Sequence, residues 1–340
     1  FSAADAGALK AAVEAAAAGI AGLPDHVRMA EVAASLAARF DPGAEARLSL
    51  VAGSLAEAAE RLAAVAGQID PAQPDLRQVD VRGAFLALGA PLTSDEVAFL
   101  FPGQGSQYPG MAADLAMTFP ALRKAVEAAG QIIGDGTPAP LGDLVWPRPT
   151  LDEAEAAAQA EALKATNVAQ PAIGAVSAGM LDILRGLGLA AGQAAGHSFG
   201  EYTALHAAGA FDVDTLVSLA FARGDAIVRT GGDDLGAMIA VSADAAAVRE
   251  AVASLHGITL ANINAPDQTV IAGPTPAIER AAEALTSAGL SGTRLPVACG
   301  FHSECVAPAR DLLAGALEAA PVGVPGITVM ANETAAPYPG

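Results

Sequence analysis

Apolar residues recur at helical spacing along most of this chain, and short, nearly unbroken apolar runs punctuate them. Residues 4–22 and 27–39 carry an Ala-rich helical pattern, interrupted around Gly22-Leu23-Pro24-Asp25, where glycine and proline end one helix before the next begins. Ala46–Ala52 reads as a strand, and a helix follows from about Ser54 to Val65. A loop with Pro71 and Pro74 leads to a second strand near Val79–Leu88. These elements predict a small α/β unit without a catalytic constellation. Its one side chain titrating near neutrality, His26, precedes a helix and is expected on the surface.

A break near Pro91–Asp95 opens a more apolar stretch. Glu96–Phe101 predicts a short strand ending at Pro102-Gly103, and helical patterns follow at about 113–133 and 162–188. Between them the acidic, Ala-rich Leu151–Ala162 reads as a solvated helix. A strand at Gln193–Gly196 runs into Ser198 and a helix from Gly200 to Ala208, and another helix spans about Val213–Arg229. After Gly231-Gly232 the rhythm changes. Strand Gly236–Val241, helix Ala243–Leu255, strands Ile258–Ile263 and Gln268–Ile271, helix Pro276–Ala288 and strand Thr293–Ala298 follow in turn. That βαββαβ order is the ferredoxin-like arrangement, with Ala265-Pro266-Asp267 as the hairpin turn between its middle strands.

The expected fold is therefore α/β, with an α/β-hydrolase-like parallel-sheet core, an inserted ferredoxin-like subdomain and a small α/β domain in front. The expected boundaries are 1–95 for the leading domain and 96–340 for the main one, its core at 96–233 and 300–340 and its insertion at 234–299.

Composition narrows the classes. Hydrophobic residues make up 53% and charged residues 16%, enough for a buried core and unlike a disordered chain. No run of about 18 apolar residues occurs, so no membrane span is expected. The formal charge of −19 disfavours nucleic acid and anionic membrane surfaces as partners. Cys299 and Cys305 are too few for a disulfide framework or a four-cysteine zinc site, which fits a reducing, cytoplasmic setting. The start at Phe1-Ser2, without Met or a signal-like segment, reads as a piece of a longer chain.

The strongest chemical signal is Gly196-His197-Ser198-Phe199-Gly200, a G-x-S-x-G run between a strand and a helix. A sharp turn there projects the serine hydroxyl, the glycines allow strand and helix to approach, and the helix start offers free N–H groups to an oxyanion. A serine hydroxyl needs a base. His26 lies in the leading unit, His197 neighbours the serine and should splay away from its hydroxyl, His206 is expected to pack, and His256 ends a helix of the insertion. His302 stands where the chain returns from that insertion, in Cys299-Gly300-Phe301-His302-Ser303, and is the expected base. Phe101-Pro102-Gly103-Gln104-Gly105-Ser106-Gln107 closes the first core strand with a glycine-rich loop that borders an active site in such sheets and can donate an N–H to a reacting carbonyl. No Gly-Lys-Ser/Thr follows, against a phosphate cradle. Arg223, in an apolar helix, is either a snorkelling surface residue or a buried partner for an anion.

Phe101–Gln107, Gly196–Glu201, Arg223-Gly224 and Phe301-His302-Ser303 stand in the order seen in the malonyl-CoA:acyl carrier protein transacylase family, which the chain resembles. The leading unit resembles the linker between ketosynthase and acyltransferase in type I polyketide synthases, and the wording GHSFGE and GFH is most similar to iterative synthases of the enediyne and polyunsaturated fatty acid types. The resemblance implies an enzyme that moves malonyl from malonyl-CoA to the phosphopantetheine thiol of an acyl carrier protein, with no permanently bound cofactor and a ketosynthase as neighbour. It implies Ser198 as nucleophile, His302 as base then acid, the backbone N–H groups of Gln104 and Phe199 as oxyanion hole, and Arg223 on the malonyl carboxylate. His197 and Phe301 are expected to line the substrate site. Phe199 and Phe301 are expected to crowd the carbon between the two carbonyls and so disfavour methylmalonyl. Cys-Gly-Phe-His departs from the His-Ala-Phe-His and Tyr-Ala-Ser-His of modular synthases.

Two rival readings remain at this stage. A serine thioesterase or hydrolase of the α/β-hydrolase type wants an acid between nucleophile and base, with Asp233, Asp234 and Asp267 as candidates. A catalytically inactive scaffold domain is the other, and the presence of both Ser198 and His302 argues against it.

Overall fold

A computed structural model describes residues 1–73, 79–230, 232, 234–297 and 299–339. Pro74 of the expected loop, Gly231, the candidate acid Asp233 (the expected end of one core segment) and the strand end Ala298 lie outside the described residues. The chain separates into two units, Phe1–Thr93 and Ser94–Gly340.

In the first unit, strand β1 (Ser2–Ala3), helices α1 (Ala6–Ala21) and α2 (Met29–Ala37), strand β2 (Ala46–Leu50), helix α3 (Leu55–Gln68) and strand β3 (Ala84–Leu88) follow in order. Asp5 caps α1 by accepting from the Ala8 N–H at 2.8 Å, which satisfies one of the free donors of the first turn. Leu9, Val13, Ala17 and Ile20 recur along one face of α1 and are buried. With Leu62 and Val65 of α3 and Leu48, Leu86 and Leu88 of the antiparallel sheet β1-β2-β3 they form one core. The second strand is shorter than expected. Gly83 has φ +77° and the Ala84 N–H closes a turn on the Val81 carbonyl, so the strand starts only at Ala84, and the Gly83 carbonyl takes the outermost bond, from the Val51 N–H.

The second unit opens with β4 (Ala98–Phe101). The helical pattern at 113–133 resolves into α4 (Ala113–Thr118) and α5 (Pro120–Ile133), because Pro120 brings no N–H to continue the first helix and instead starts the second. Next come α6 (Leu141–Val145), the wholly unburied α7 (Glu153–Ala162) and α8 (Thr166–Gly186), whose middle is buried on nearly every face. Then β5 (Gln193–Gly196), α9 (Gly200–Ala207) and α10 (Val213–Thr230) follow. The inserted stretch holds β6 (Ala237–Val241), α11 (Ala245–Ala251), β7 (Thr259–Ala265), β8 (Gln268–Gly273), α12 (Thr275–Ser287) and β9 (Gly292–Arg294). Helix α13 (Ala309–Ala319) and strands β10 (Thr328–Ala331) and β11 (Ala336–Pro337) complete the unit.

Two sheets result. In one, β4, β5 and β10 run parallel in the order β10-β5-β4, and β11 adds an antiparallel edge beside β10. In the other, the insertion forms an antiparallel sheet in the order β7-β8-β6-β9. Strand β9 stops at Arg294, not at the expected Ala298. The Leu295 N–H makes the last bond, to the Met238 carbonyl, and Pro296 has no N–H with which to extend the ladder. Among the described residues no helix is long and apolar enough to cross a membrane.

Candidate active site

The site forms at the carboxyl ends of β4 and β5, where loops leave a parallel sheet and ligands commonly bind. Strand β5 ends at Gly196, the chain reverses at Ser198 with φ +52°, and α9 begins two residues later. A non-glycine residue held at positive φ carries strain of about 1–3 kcal/mol, a feature that gathers at active sites. The two flanking glycines are sterically required. A Cβ on Gly196 would lie 1.9 Å from the Gly200 carbonyl carbon, and one on Gly200 would lie 2.2 Å from the Phe101 carbonyl oxygen.

Ser198 Oγ lies 2.8 Å from His302 Nε2, although 104 residues separate them. His302 is also strained, at φ +60°, at the return from the insertion. The ring opens on the cleft, yet enough protein surrounds it that burial lowers its pKa from the ordinary 6.5, and the positive charge of Arg223 and the neighbouring His197 lower it further. The imidazole is thus held in the neutral form that accepts a proton.

Among the described residues, the backbone N–H groups of Gln104 and Phe199 make no hydrogen bond. The Gln104 side chain is fixed, donating from Nε2 to the Lys164 carbonyl at 3.2 Å and to Thr166 Oγ1 at 3.4 Å. Phe199 corrects an expectation. Its side chain is 0% exposed, packs with Ile173 and Leu216, stacks on Tyr202 with centroids 5.9 Å apart, and does not line the pocket. The elbow delivers it to the core, so it cannot crowd a bound acyl group. Phe301 does line the pocket.

Arg223 shares that pocket with Ser198 and His302. Its guanidinium is enclosed on most sides, and burial is the main cause of a lowered pKa, with Tyr202, Cys299 and Glu201 opposing. Among the described residues Arg223 makes no ion pair or hydrogen bond, so an enclosed cation faces the cleft without an anion. The pocket holds about 90 Å³, room for a small acyl unit, and it shares Ser198, Arg223 and His302 with a wider cleft of about 1110 Å³.

His197 turns from the serine and hydrogen-bonds Asn264 Oδ1 through Nε2 at 3.0 Å, while lining the same pocket. His206 packs and donates from Nδ1 to the Phe211 carbonyl at 3.0 Å. Cys299 and Cys305 are free thiols, and burial pushes the Cys299 thiol up to about 12. Of the acids a hydrolase would recruit, Asp234 is occupied by Thr275 and the Gly236 N–H, and Asp267 sits in the β7–β8 turn. Among the described residues no group of His, Cys, Asp or Glu is placed to hold a metal ion.

Gln170, Asn262 and Asn264 also line the pocket and had drawn no notice in the sequence. Gln170 is 0% exposed, donates to Gln104 Oε1 at 3.1 Å and leaves its own Oε1 without a partner among the described residues. A glutamine inside the apolar run Val168–Ile173 was a readable signal, as were two asparagines two residues apart on one strand. Asn332, which hydrogen-bonds the Ser198 N–H, had none.

A family model described as acyl transferase domain matches residues 98–336. The polyketide biosynthesis protein ThaF of Burkholderia thailandensis is 37% identical over 248 residues, 72% of this chain and 20% of that protein. Malonyl CoA-acyl carrier protein transacylase of Bacillus subtilis is 32% identical over 246 residues, covering 71% of this chain and 73% of its own. Among solved structures, the acyltransferase domain of an iterative polyketide synthase in enediyne biosynthesis aligns with TM-score 0.72 and 30% identity, over 99% of this chain and 75% of that one. The chain thus spans about a fifth of ThaF and about three quarters of the Bacillus subtilis transacylase.

Proposed function

The chain belongs to the acyl transferase domain family, and from that premise we propose that it transfers malonyl from malonyl-CoA to the phosphopantetheine thiol of an acyl carrier protein. One observation carries the choice of acyl group: an enclosed guanidinium without an anion stands in the pocket of the Ser198–His302 pair.

In the first half-reaction Ser198 Oγ attacks the thioester carbonyl carbon while His302 Nε2 takes its proton. The carbonyl electron pair moves onto oxygen, where the N–H groups of Gln104 and Phe199 receive it. Donors of this kind are worth about 2.7–4 kcal/mol each in serine hydrolases. The tetrahedral carbon collapses, the C–S bond breaks, and imidazolium returns the proton to the coenzyme A thiolate. The carrier's thiol then repeats the steps in reverse. Its proton passes to His302, its sulfur forms the new thioester, and Ser198 recovers its hydroxyl. Arg223 holds the malonyl carboxylate throughout, and the wider cleft admits the pantetheine arm. Phe301 alone of the two phenylalanines borders the α-carbon.

We read the insertion as ferredoxin-like, from its strand order, within an α/β-hydrolase-like core. We read the first unit as the linker beside a ketosynthase, in a synthase of the iterative type; alignment over 99% of the chain with the enediyne domain supports this.

Intact mass after exposure to malonyl-, methylmalonyl- and acetyl-CoA tests the reaction. Malonyl should load fastest, as an ester on Ser198, and transfer to a carrier should outpace release of free malonate. Faster hydrolysis than transfer would replace the transferase with a thioesterase.

The pH profile provides a further prediction. Acylation needs neutral His302, so kcat/KM for malonyl-CoA rises with pH through the His302 pKa and then levels. Because burial, Arg223 and His197 all lower that pKa, the acid limb should fall below pH 6.5. A midpoint above 6.5 would contradict the assigned environment.

A further inference from the structure

We infer that Asn332 is a positioning residue for the nucleophile, holding the strained bend at Ser198 in place by extending the β-ladder with its side chain. The inference rests on Ser198 being the nucleophile.

The register carries it. Strands β5 and β10 pair in parallel with Thr328 opposite Gln193, Val329 opposite Ala194 and Met330 opposite Ala195. One ladder step further would set Ala331 against Gly196, and two would set Asn332 against His197. In a parallel pair, a residue bonds the carbonyl before its partner and the N–H after it. The main chain of β10 cannot supply those bonds, because it turns at Asn332 toward β11. The Asn332 carboxamide supplies both. Its Nδ2 donates to the Gly196 carbonyl at 2.7 Å and its Oδ1 accepts from the Ser198 N–H at 2.7 Å. A side-chain amide thus stands where the next peptide group of the strand would be.

Two consequences follow for the chemistry. The Ser198 N–H is occupied, so it is withheld from the oxyanion and leaves that task to the donors of Gln104 and Phe199. The peptide planes on both sides of His197 are tied, so the bend keeps its φ of +52° and Oγ stays 2.8 Å from His302 Nε2.

Asn332 is itself held from the other side of the bend. Glu201, in the first turn of α9, accepts from the Asn332 N–H at 2.9 Å and from the Tyr338 hydroxyl at 2.7 Å through the same Oε1. Burial and the adjacent Glu201 push the Tyr338 phenol well above its ordinary range, so the hydroxyl remains a donor. The glutamate of GHSFGE is thereby connected to the β10–β11 hairpin.

The test is single-turnover acylation of Ser198 by malonyl-CoA, followed by intact mass over a range of thioester concentrations. Asn332→Leu keeps the side-chain volume and loses both bonds. Its maximal acylation rate should fall roughly 100-fold, the scale of an ångström of misplacement, while half-saturation moves less than about threefold. Asn332→Asp keeps the acceptor for Ser198 N–H and loses the donor to Gly196, and should fall between the parent and Asn332→Leu. Tyr338→Phe removes only the outer tie and should slow the step about two- to tenfold. Equal rates for Asn332→Leu and the parent would overturn the inference, as would rate loss that tracks a lowered melting temperature across the three variants. A parent that is never acylated on Ser198 would instead overturn the proposed reaction, so the two failures are distinguishable.

Discussion

Ser198→Ala is expected to leave no acyl-enzyme by intact mass after exposure to malonyl-CoA, and to lower carrier malonylation by about 10⁴-fold or more. The fold should survive. Asn332 binds the backbone N–H of residue 198, not its hydroxyl, and both glycine contacts at the elbow are independent of the side chain. No other group should substitute for the hydroxyl. Cys299 is buried, and its thiol, pushed up to about 12, is not a thiolate at neutral pH. His302→Ala should fall nearly as far, and the double variant little further, because a nucleophile without its base and a base without its nucleophile fail at the same step. Labelling of Ser198→Ala at the parental rate would place the nucleophile elsewhere.

What could be read beforehand follows from where each constraint originates. The elbow was legible because its geometry demands particular residues: only glycine tolerates approaches of 1.9 and 2.2 Å at Gly196 and Gly200. The meeting of His302 with Ser198 was legible from chain order, as His302 is the histidine at the exit of an insertion that begins beyond α10. The βαββαβ succession was readable from periodicity, which local sequence carries. Phe199 was misread because the side of the chain on which a residue emerges depends on the backbone angle before it, and the φ of +52° at Ser198 is a tertiary outcome. The ends of β3 and β9 were overrun for a related reason: apolar alternation continues past Gly83 and Pro296, while the hydrogen-bond ladder does not. Asn332 was invisible because its role depends on the parallel register of β5 with β10, strands more than a hundred residues apart. Pairings of that kind leave no mark on either segment alone.

Arg223→Ala should reverse the order in which acyl groups load. In the proposed reaction the malonyl carboxylate gains from the guanidinium a charge-assisted contact of about 1.5–3 kcal/mol, equivalent to roughly 10- to 150-fold in kcat/KM. Acetyl-CoA has no carboxylate with which to claim it. Without the guanidinium, malonyl loses that gain and must also place an anion among Met238, Val270, Leu295, Val297 and Phe301, the apolar side chains of the same pocket. Acetyl avoids both penalties. The malonyl-to-acetyl ratio should therefore drop at least tenfold, mainly through slower malonyl loading. The empty enzyme should respond in the opposite sense. An enclosed cation without a partner among the described residues is a liability to the fold, as its lowered pKa from burial indicates. Arg223→Met, which fills similar volume without charge, should melt at the parental temperature or above it while losing malonyl preference. A domain that is stabilised and loses its selectivity at the same position would mark Arg223 as a residue kept for its ligand. An unchanged malonyl-to-acetyl ratio would instead move the carboxylate to another hydrogen-bond donor in the pocket, with the Asn262 carboxamide the first to examine.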